Sequence, residues 1–236
     1  MNPKNDLTPL ERAKAINLKS KGGTFLKLLT FHEIDLVLDV GANTGQFALN
    51  LFDIGYQGKV VSFEPLSSAY ELLLANSQSH ANWQVAERCA IGDCYEEIKI
   101  HISKNSQSSS ILPILPICLD AAPNSAYIGS EKIKVLKLSE IAVDYVNQAQ
   151  APLLKIDTQG YEYQVLQGAE EIIDQIRGIY LELSLIPLYE GEIVFEVMLK
   201  LIQEMGFFLY NLYPGFVDYR TGRLLQVNGV FFREPN

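Results

Sequence analysis

The stretch Asp35–Phe47, DLVLDVGANTGQF, decides the fold of this chain. Its first half is a short and mostly apolar run that predicts a buried strand, Leu36–Val40. The run breaks at Gly41 into a turn with two glycines, and a helix is predicted from Gly45 to Phe52. A buried strand, a glycine turn and a helix in this order predict one half of a nucleotide-type binding crevice.

A second apolar run, Lys59–Phe63, ends on one acid, Glu64. Glu64 lies about 25 residues after Asp39, close to the spacing of a carboxylate that accepts hydrogen bonds from ribose hydroxyls. The alternative is that Glu64 only caps the helix predicted for Ser67–Ser77. The spacing favours the ribose role.

The residues of the glycine turn indicate which ligand the crevice holds. The dinucleotide fingerprint GxGxxG needs its middle glycine to make room for a pyrophosphate. In GANTG, residues 41–45, Asn43 occupies that middle place, which disfavours a pyrophosphate. Asp39, Asn43 and Thr44 instead suit a cationic amino-acid tail, such as the methionyl part of S-adenosylmethionine (SAM). Gly41 and Gly45 are predicted to let the backbone approach that ligand closely.

The order of predicted elements gives the fold class. Strands alternate with helices up to residue 204, which predicts a parallel sheet covered on both faces. The last two strands have no helix between them, and alternating residues near 97–102 and 133–135 predict an inserted antiparallel pair. We therefore predict a doubly wound, mostly parallel seven-stranded α/β sheet with an antiparallel terminal strand, an inserted β-hairpin and loop, and an N-terminal helix. The remaining predicted strands are Trp83–Ala90, Pro152–Asp157, Gly178–Leu183, Phe207–Tyr213 and Leu224–Phe232.

Two segments stand apart from this alternation. Residues 1–30 are predicted to be a helical extension, with a helix over Thr8–Ser20 and a looser Gly22-Gly23 step, and residues 31–236 to be the main domain. Residues 103–130 are rich in Ser, Pro and Asn, and loops of this length in compact domains are usually functional or mobile.

Composition limits the partners and the compartment. The 236 residues carry a formal net charge of −9, which makes nucleic acid a poor partner. The three cysteines, Cys89, Cys94 and Cys118, lack CxxC spacing and are interpreted as reduced thiols. With neither a signal peptide nor a membrane-length apolar run, the sequence predicts a cytoplasmic protein and leaves its oligomeric state open.

The third predicted strand supplies candidate adenine contacts. It closes in Ala90-Ile91-Gly92-Asp93, where the base of an adenosyl ligand is expected in a sheet of this kind. Ala90 is predicted to lie beside the adenine base, and Asp93 to accept a hydrogen bond from the adenine amino group. A turn aspartate without a ligand is the alternative for Asp93.

Six motifs, taken in order along the chain, resemble the FkbM family of SAM-dependent methyltransferases. They are DVGANTGQF, SFEP, AIGD, LLKIDTQGYEYQVLQGA, LELSLIPLYEGE and TGRLLQVNGVFFRE. The resemblance implies a class I methyltransferase fold, SAM as the cofactor, and O-methylation of a hydroxyl on a sugar, a glycan or a secondary metabolite. By position, Gly41, Asn43 and Gly45 match the cofactor loop of the family, Glu64 its ribose acid, and Asp157 its motif aspartate.

The chain departs from the family pattern at two positions. Gln159 stands where the family often has Glu, and Asn228 where it often has Asp. Both changes remove a negative charge near the expected active face, so no metal site is predicted.

Two acids are the candidates for methyl-transfer chemistry, which needs a positioned acceptor and usually a base. Asp157, at the end of its strand, is favoured for positioning or deprotonating the hydroxyl, with a turn cap as the alternative. Glu182 is second, with a structural acid paired to Lys155 or Arg177 as the alternative.

The serine-rich loop is the candidate lid. Ser109 and Ser110 are predicted to lie over the cofactor or the acceptor, with a solvated linker as the alternative. Among the three histidines, His101 is the one base candidate worth testing, whereas His32 and His80 are interpreted as solvated loop residues.

Two rival functions remain open at the level of sequence. One is a non-catalytic SAM-binding domain that serves as a partner subunit, to which Gln159 and Asn228 lend some support. The other is a dinucleotide-dependent oxidoreductase, which the missing middle glycine disfavours. The leading prediction is a methyltransferase that acts on a small hydroxylated molecule or a glycan.

Overall fold

The structure, a computed structural model, describes residues 8–14 and 20–234. Within those residues the chain forms twelve β-strands, numbered in chain order. They are β1 (Leu36–Val40), β2 (Lys59–Phe63), β3 (Trp83–Val85), β4 (Ala90–Gly92), β5 (Glu96–Ser103), β6 (Tyr127–Lys137), β7 (Pro152–Ile156), β8 (Gly178–Ser184), β9 (Phe208–Pro214), β10 (Val217–Asp218), β11 (Arg223–Leu224) and β12 (Gln226–Phe232).

The described residues also form nine α-helices, together with 3-10 turns at Pro123–Ser125 and Glu170–Gln175. The helices are α1 (Pro9–Lys14), α2 (Lys21–Phe31), α3 (Gln46–Asp53), α4 (Ser67–Ser77), α5 (Pro116–Ala121), α6 (Leu138–Ile141), α7 (Val143–Gln148), α8 (Glu162–Gly168) and α9 (Phe195–Glu204).

The main sheet has seven strands in the order β3-β2-β1-β7-β8-β12-β9. The pairs β1–β2, β1–β7, β2–β3 and β7–β8 are parallel. All five residues of β1 and of β7 are buried, as expected for central strands covered by helices on both faces. The predicted α/β fold class is confirmed, and the carboxyl ends of β1, β2, β7 and β8 meet at one edge.

The end of the sheet is antiparallel, as predicted. β12 runs antiparallel to both β8 and β9, and it places Asn228 directly opposite Glu182. No crossover helix separates β9 from β12, so the chain returns by a loop that contains the short pair β10–β11.

The predicted strand Trp83–Ala90 is wrong in its extent. β3 stops at Val85, and β4 joins a separate three-stranded sheet, where it pairs parallel to β6. Glu87 and Arg88, both exposed, separate the two strands, and the Arg88 guanidinium donates to the Pro65 carbonyl at 3.0 Å. A charged pair of this kind suits the surface, so the chain leaves the main sheet there.

The inserted antiparallel pair is confirmed and is longer than predicted. β5 and β6 pair from Glu96 to Ser103 and from Tyr127 to Val135. The segment between them is also more ordered than the sequence indicates, since it contains α5 and a 3-10 turn.

The amino-terminal part differs from the prediction. The Gly22-Gly23 step lies inside α2 and does not loosen the chain. A Cβ on Gly22 would meet the Ile54 side chain at 2.7 Å, so the glycine lets α2 pack closely on the turn after α3. Phe25 and Leu29 of α2 belong to the hydrophobic core. The division into an extension, residues 1–30, and a main domain, residues 31–236, stays a prediction. Residues 15–19 of the predicted helix lie outside the described residues.

Two further findings concern the whole chain. Across residues 8–14 and 20–234, the helices are all too short or too polar to cross a membrane. The three cysteines are free thiols, with Cys89 and Cys118 buried and Cys94 exposed.

Candidate active site

A cavity of about 420 Å³ opens at the carboxyl ends of β1, β2, β7 and β8. This is where ligands bind in doubly wound sheets. Its wall contains Gly41 and Asn43 after β1, Glu64 after β2, and Asp157 after β7, with Glu182 in β8. Residues predicted from four separate sequence motifs thus meet in one place.

The glycine turn is shaped by the neighbouring strands. Gly41 has φ +74°, and a Cβ there would lie 1.9 Å from the Asp157 carbonyl oxygen. Gly45 has φ +92°, and a Cβ there would lie 2.4 Å from the Trp83 indole. Both glycines are therefore required for close contacts within the protein. That they also let the backbone approach a ligand stays a prediction. Asn43, also left-handed at φ +48°, lines the cavity together with Gly41 and Ala42.

Asp39 lies beneath the cavity, fully buried in β1. Its carboxylate pairs with Lys155 Nζ at 2.9 Å and accepts from Ser62 Oγ at 3.2 Å. Lys155 Nζ also donates to the Gly41 carbonyl at 2.9 Å. The pair thus anchors the turn to β7, and Lys155 neutralises an acid within the sheet. Direct contact of Asp39 with a cofactor stays a prediction.

Burial disfavours the Lys155 ammonium, but the carboxylates of Asp39, Asp157 and Glu182 outweigh it and raise the lysine pKa. Lys155 is therefore charged at neutral pH. Its charge offsets part of the negative charge that the surrounding acids bring to the site.

Glu64 is buried in the cavity wall, with 4% of its surface exposed. One carboxylate oxygen accepts from the Asn43 backbone N–H at 2.7 Å, and the other accepts from the Leu66 N–H at 2.9 Å. Leu66 is the N-cap of α4, so the capping interpretation describes one of the two contacts. Each carboxylate oxygen retains a second lone pair for a ligand. Burial raises the pKa of Glu64 to about 7, against the opposing effect of these two donors.

Asp157 and Glu182 are held together by one side chain. Gln159 Nε2 donates to Asp157 Oδ1 at 2.7 Å and to Glu182 Oε2 at 2.8 Å. Gln226 Nε2 donates to the same Glu182 oxygen at 2.9 Å. Glu182 therefore takes its hydrogen bonds from amides and not from Lys155 or Arg177, the partners that the sequence left open.

Burial, together with the neighbouring Asp157 and Glu162 carboxylates, raises the pKa of Glu182 well above its ordinary range. Glu182 therefore keeps its proton to a higher pH than an ordinary glutamate, while the Gln159 amide holds Asp157 beside it. The arrangement is suited to accepting one proton from a ligand.

The serine-rich loop roofs the cavity. Residues 105–109 line it, and Ser106 Oγ accepts from Asn43 Nδ2 at 3.3 Å. Ser109 belongs to this lining, whereas Ser110 is fully buried behind it and donates to the Gln159 carbonyl at 2.6 Å. The contacts describe a loop folded onto the site, in contrast to the solvated-linker alternative. Whether it acts as a lid stays a prediction.

The other predicted residues take different positions. Ala90 lines the cavity next to Ile91. Thr44 faces α4, where its carbonyl accepts from Asn76 Nδ2 at 2.9 Å. Asp93 lies past the end of β4 beside the Cys94 thiol. The His101 ring stacks on Tyr127, with ring centres 4.6 Å apart, behind the cavity lining. The roles given to these residues stay predictions.

The sequence interpretation missed the roles of two residues at the site and the burial of one histidine. Gln159 was noted only as a lost charge, although its position two residues after Asp157 is a signal for proximity. Gln226 carries no such local signal, because it reaches the site from a distant part of the chain. His32, expected in solvent, is buried and stacks on Phe232 at a centroid distance of 3.7 Å.

The chain is similar to several solved structures. A candidate tRNA (m1A22) methyltransferase from Streptococcus pneumoniae, solved with S-adenosyl-L-methionine, has 11% identity and a TM-score of 0.45, and the match covers 86% of this chain and 68% of that one. An rRNA methylase from Streptococcus thermophilus has 12% identity and a TM-score of 0.49, with 93% and 99% covered. TehB from Haemophilus influenzae has 10% identity and a TM-score of 0.48, with 96% and 68% covered. Structural similarities with TM-scores this low support no conclusion about this chain.

The sequence comparison is more informative. A search of curated proteins gave no match. The family model described as the methyltransferase FkbM domain, however, matches residues 39–209, well over half of the chain. The match includes Asp39, Glu64, Asp157 and Glu182, the acids at or beneath the cavity. This chain therefore belongs to the FkbM-domain family of methyltransferases.

Proposed function

We propose that this protein is a SAM-dependent methyltransferase that O-methylates a hydroxyl of a sugar, a glycan or another small metabolite. The observation that carries the proposal is the cavity, which brings Asn43 and Glu64 together with the hydrogen-bonded acids Asp157 and Glu182. One part of this wall suits a nucleoside, and the other suits a hydroxyl that must lose a proton.

The donor set of the cavity fits SAM. Glu64 offers carboxylate lone pairs for the ribose hydroxyls. Apolar side chains beside it provide a slot for an adenine ring, and they include Pro65, Leu66, Ala90 and Ile91. SAM carries a sulfonium and an ammonium, and the acids of the wall complement this positive charge.

When bound, SAM supplies an electrophilic methyl group for transfer to an oxygen nucleophile. Asp157 would position the acceptor hydroxyl and take its proton, while the methyl–sulfur bond of the sulfonium breaks and leaves a neutral thioether. Glu182 holds its own proton to a higher pH than an ordinary glutamate. Asp157, which lines the cavity directly after β7, is therefore the proposed base. Asn43 and the serine loop exclude water from this end of the cavity.

The charge of the site supports an uncharged acceptor. Among the described residues that line the cavity, Lys155 is the one basic side chain, and its ammonium is paired with Asp39. Phosphate groups would meet Asp157 and Glu182 without a counter-charge, so nucleic acids and sugar phosphates are poor acceptors. A neutral polyol fits better, because hydroxyls, amides and carboxylates of the wall can each form a hydrogen bond with it.

Calorimetry with SAM and with NAD tests the cofactor. We expect SAM to bind with a micromolar Kd and NAD not to bind, because the turn lacks the glycine that a pyrophosphate needs. NAD binding in the absence of SAM binding would overturn the proposal in favour of an oxidoreductase.

Methyl transfer from labelled SAM to a panel of neutral sugars tests the reaction. Asp157→Asn keeps the shape of the side chain but removes the base, so we expect it to bind SAM as the wild type does and to lose about 10²–10⁴-fold in kcat. Wild-type protein that binds SAM yet labels none of the sugars would support the non-catalytic alternative.

A further inference from the structure

Gln159 lies where the acid pair meets the serine loop. Its backbone is in the left-handed region at φ +58°, a conformation that few residues other than glycine adopt. The Ser110 hydroxyl donates to its carbonyl at 2.6 Å. The next residue, Gly160, also has a positive φ, and a Cβ there would lie 2.9 Å from the Tyr189 side chain. The backbone at Gln159 is therefore fixed by packing on both sides.

The orientation of the Gln159 amide is fixed as well. Its Oε1 accepts from the Tyr189 hydroxyl at 2.8 Å. The amide nitrogen must then point the other way, toward Asp157 and Glu182, where it donates one hydrogen to each acid. An amide nitrogen has two hydrogens, so its donor capacity is fully used.

A comparison with glutamate at position 159 shows what the amide contributes. A glutamate has the same shape but only acceptor oxygens when ionised. At position 159 it would place a third carboxylate between Asp157 and Glu182, and both acids would lose a donor. In this chain, whose Gln159 stands where the family often has Glu, the hydrogen bonds that hold the pair therefore depend on the amide.

We propose that Gln159 is a positioning residue that holds Asp157 and Glu182 side by side with one oxygen of each turned toward its amide. Asp157 Oδ1 is thereby engaged, which leaves Oδ2 to meet the acceptor hydroxyl. Through Ser110 and Tyr189, the same residue ties the geometry of the acids to the serine loop. The inference rests on the proposed methyl-transfer function for its role in catalysis, but not for the geometry itself.

Other titratable groups around Glu182 remain in place when Gln159 is changed, so they serve as a constant background. They are Lys155, Asp157, Glu162, Tyr180, Tyr189, Glu192 and Cys118. A shift in the titration of Glu182 in Gln159→Glu therefore reports the change at position 159, which is the lost amide donor together with the added carboxylate.

The experiment compares Gln159→Glu with wild type and with Gln203→Glu, which adds the same charge on an exposed face of α9. The first readout needs neither cofactor nor acceptor: the carboxyl carbon of Glu182 is titrated by NMR in protein labelled at glutamate side chains, with Glu182→Gln used to assign the signal. We expect its pKa to rise by about 1 unit or more in Gln159→Glu and to stay unchanged in Gln203→Glu. Coincident Glu182 titration curves for Gln159→Glu and wild type would overturn the inference.

The second readout is the pH profile of methyl transfer. In Gln159→Glu we expect kcat at neutral pH to fall about 10–100-fold and its acidic limb to move to higher pH, with the Kd of SAM unchanged. Tyr189→Phe keeps both N–H donors but releases the amide, and we expect a fall in kcat of about 3–10-fold. If wild type transfers no methyl group, the proposed function fails, while the titration of Glu182 still decides the role of Gln159. A lower kcat with an unmoved pH profile would reduce Gln159 to a structural role and contradict the proposal.

Discussion

At the level of single residues, Glu64 gives the most direct test of cofactor binding. Its folded pKa of about 7 lies above the ordinary value of 4.5, so the carboxylate forms fully only above neutral pH. Ribose hydroxyls donate to the ionised form, and we therefore expect the affinity for SAM to rise with pH up to about 7 and then level off. In Glu64→Gln we expect a loss of about 10–100-fold and a flat profile, since hydrogen bonds to a charged group contribute about 1.5–3 kcal/mol.

Calorimetry between pH 5.5 and 8.5 checks this prediction. A wild-type affinity that is independent of pH, or a Glu64→Gln variant with unchanged affinity, would restrict Glu64 to capping the turn and α4. Circular dichroism of the variant provides the control for folding.

Gly41 offers a second residue-level prediction with a matched control. Gly41→Ala combines a positive φ with a clash against the Asp157 carbonyl, whereas Gly222 has a similar φ of +76° and open space around its Cβ position. We expect Gly41→Ala to lower the free energy of unfolding by about 3 kcal/mol or more, and Gly222→Ala by about 1 kcal/mol. Denaturant unfolding measures both, and equal losses would show that backbone strain alone matters at Gly41.

At the scale of whole segments, the serine-rich loop gives a test of the contacts that hold it on the site. Ser110 Oγ donates to the Gln159 carbonyl and accepts from the Leu112 N–H at 3.0 Å, and the residue is fully buried. In Ser110→Ala the Gln159 carbonyl and the Leu112 N–H both lose this partner, at a cost of about 1–3 kcal/mol. We expect amide hydrogen exchange in residues 103–112 to accelerate by about 5–100-fold.

The control is Ser79→Ala, which removes an exposed hydroxyl bonded to the Asn76 carbonyl in the turn after α4. It should leave exchange in the serine loop unchanged. Equal protection of the loop in Ser110→Ala and wild type would show that the Gln159 contact does not hold it closed.

For the molecule as a whole, buried ionisable groups set the pH dependence of stability. Burial raises the pKa of Glu64 and of Glu162 to about 7 and lowers the pKa of His32 to about 4. The two acids bind more protons in the folded state between pH 4.5 and 7, so their contribution to stability is present below 4.5 and is lost as pH rises through 7. His32 acts in the opposite direction, because its folded form rejects a proton that the unfolded chain takes up below about 6.5.

The two acids together change the free energy of unfolding more than the one histidine does. We therefore expect the free energy of unfolding to fall as pH rises from 5 to 7. Glu162→Gln should reduce this fall by roughly 1–3 kcal/mol. His32→Phe, which keeps the stack on Phe232, should steepen it and stabilise the protein most at pH 5. Urea unfolding of the three proteins at both pH values measures the difference, and a change of the same sign in both variants would contradict this account.

Much of the fold follows from local patterns in the sequence. The strand Leu36–Val40, the turn after it and the acid that ends the next strand are all where the periodicity places them. The antiparallel end also follows from the sequence, because two strands without a crossover helix leave the chain little choice. The prediction failed at the end of β3, where the exposed Glu87 and Arg88 take the chain out of the main sheet. It also failed at Gly22, which packs against Ile54 at the end of α3.

The sequence by itself determined the family, the order of the elements and the four acids that surround the cavity. Only the tertiary structure decided the partner of each acid: Lys155 for Asp39, two backbone N–H groups for Glu64, and the amide of Gln159 for both Asp157 and Glu182. The physical reason is that periodicity reports which face of an element is buried, whereas hydrogen bonds and charge pairs depend on which distant elements meet. Asp39 and Lys155 lie on adjacent strands of the sheet yet are far apart along the chain, and no local pattern links them.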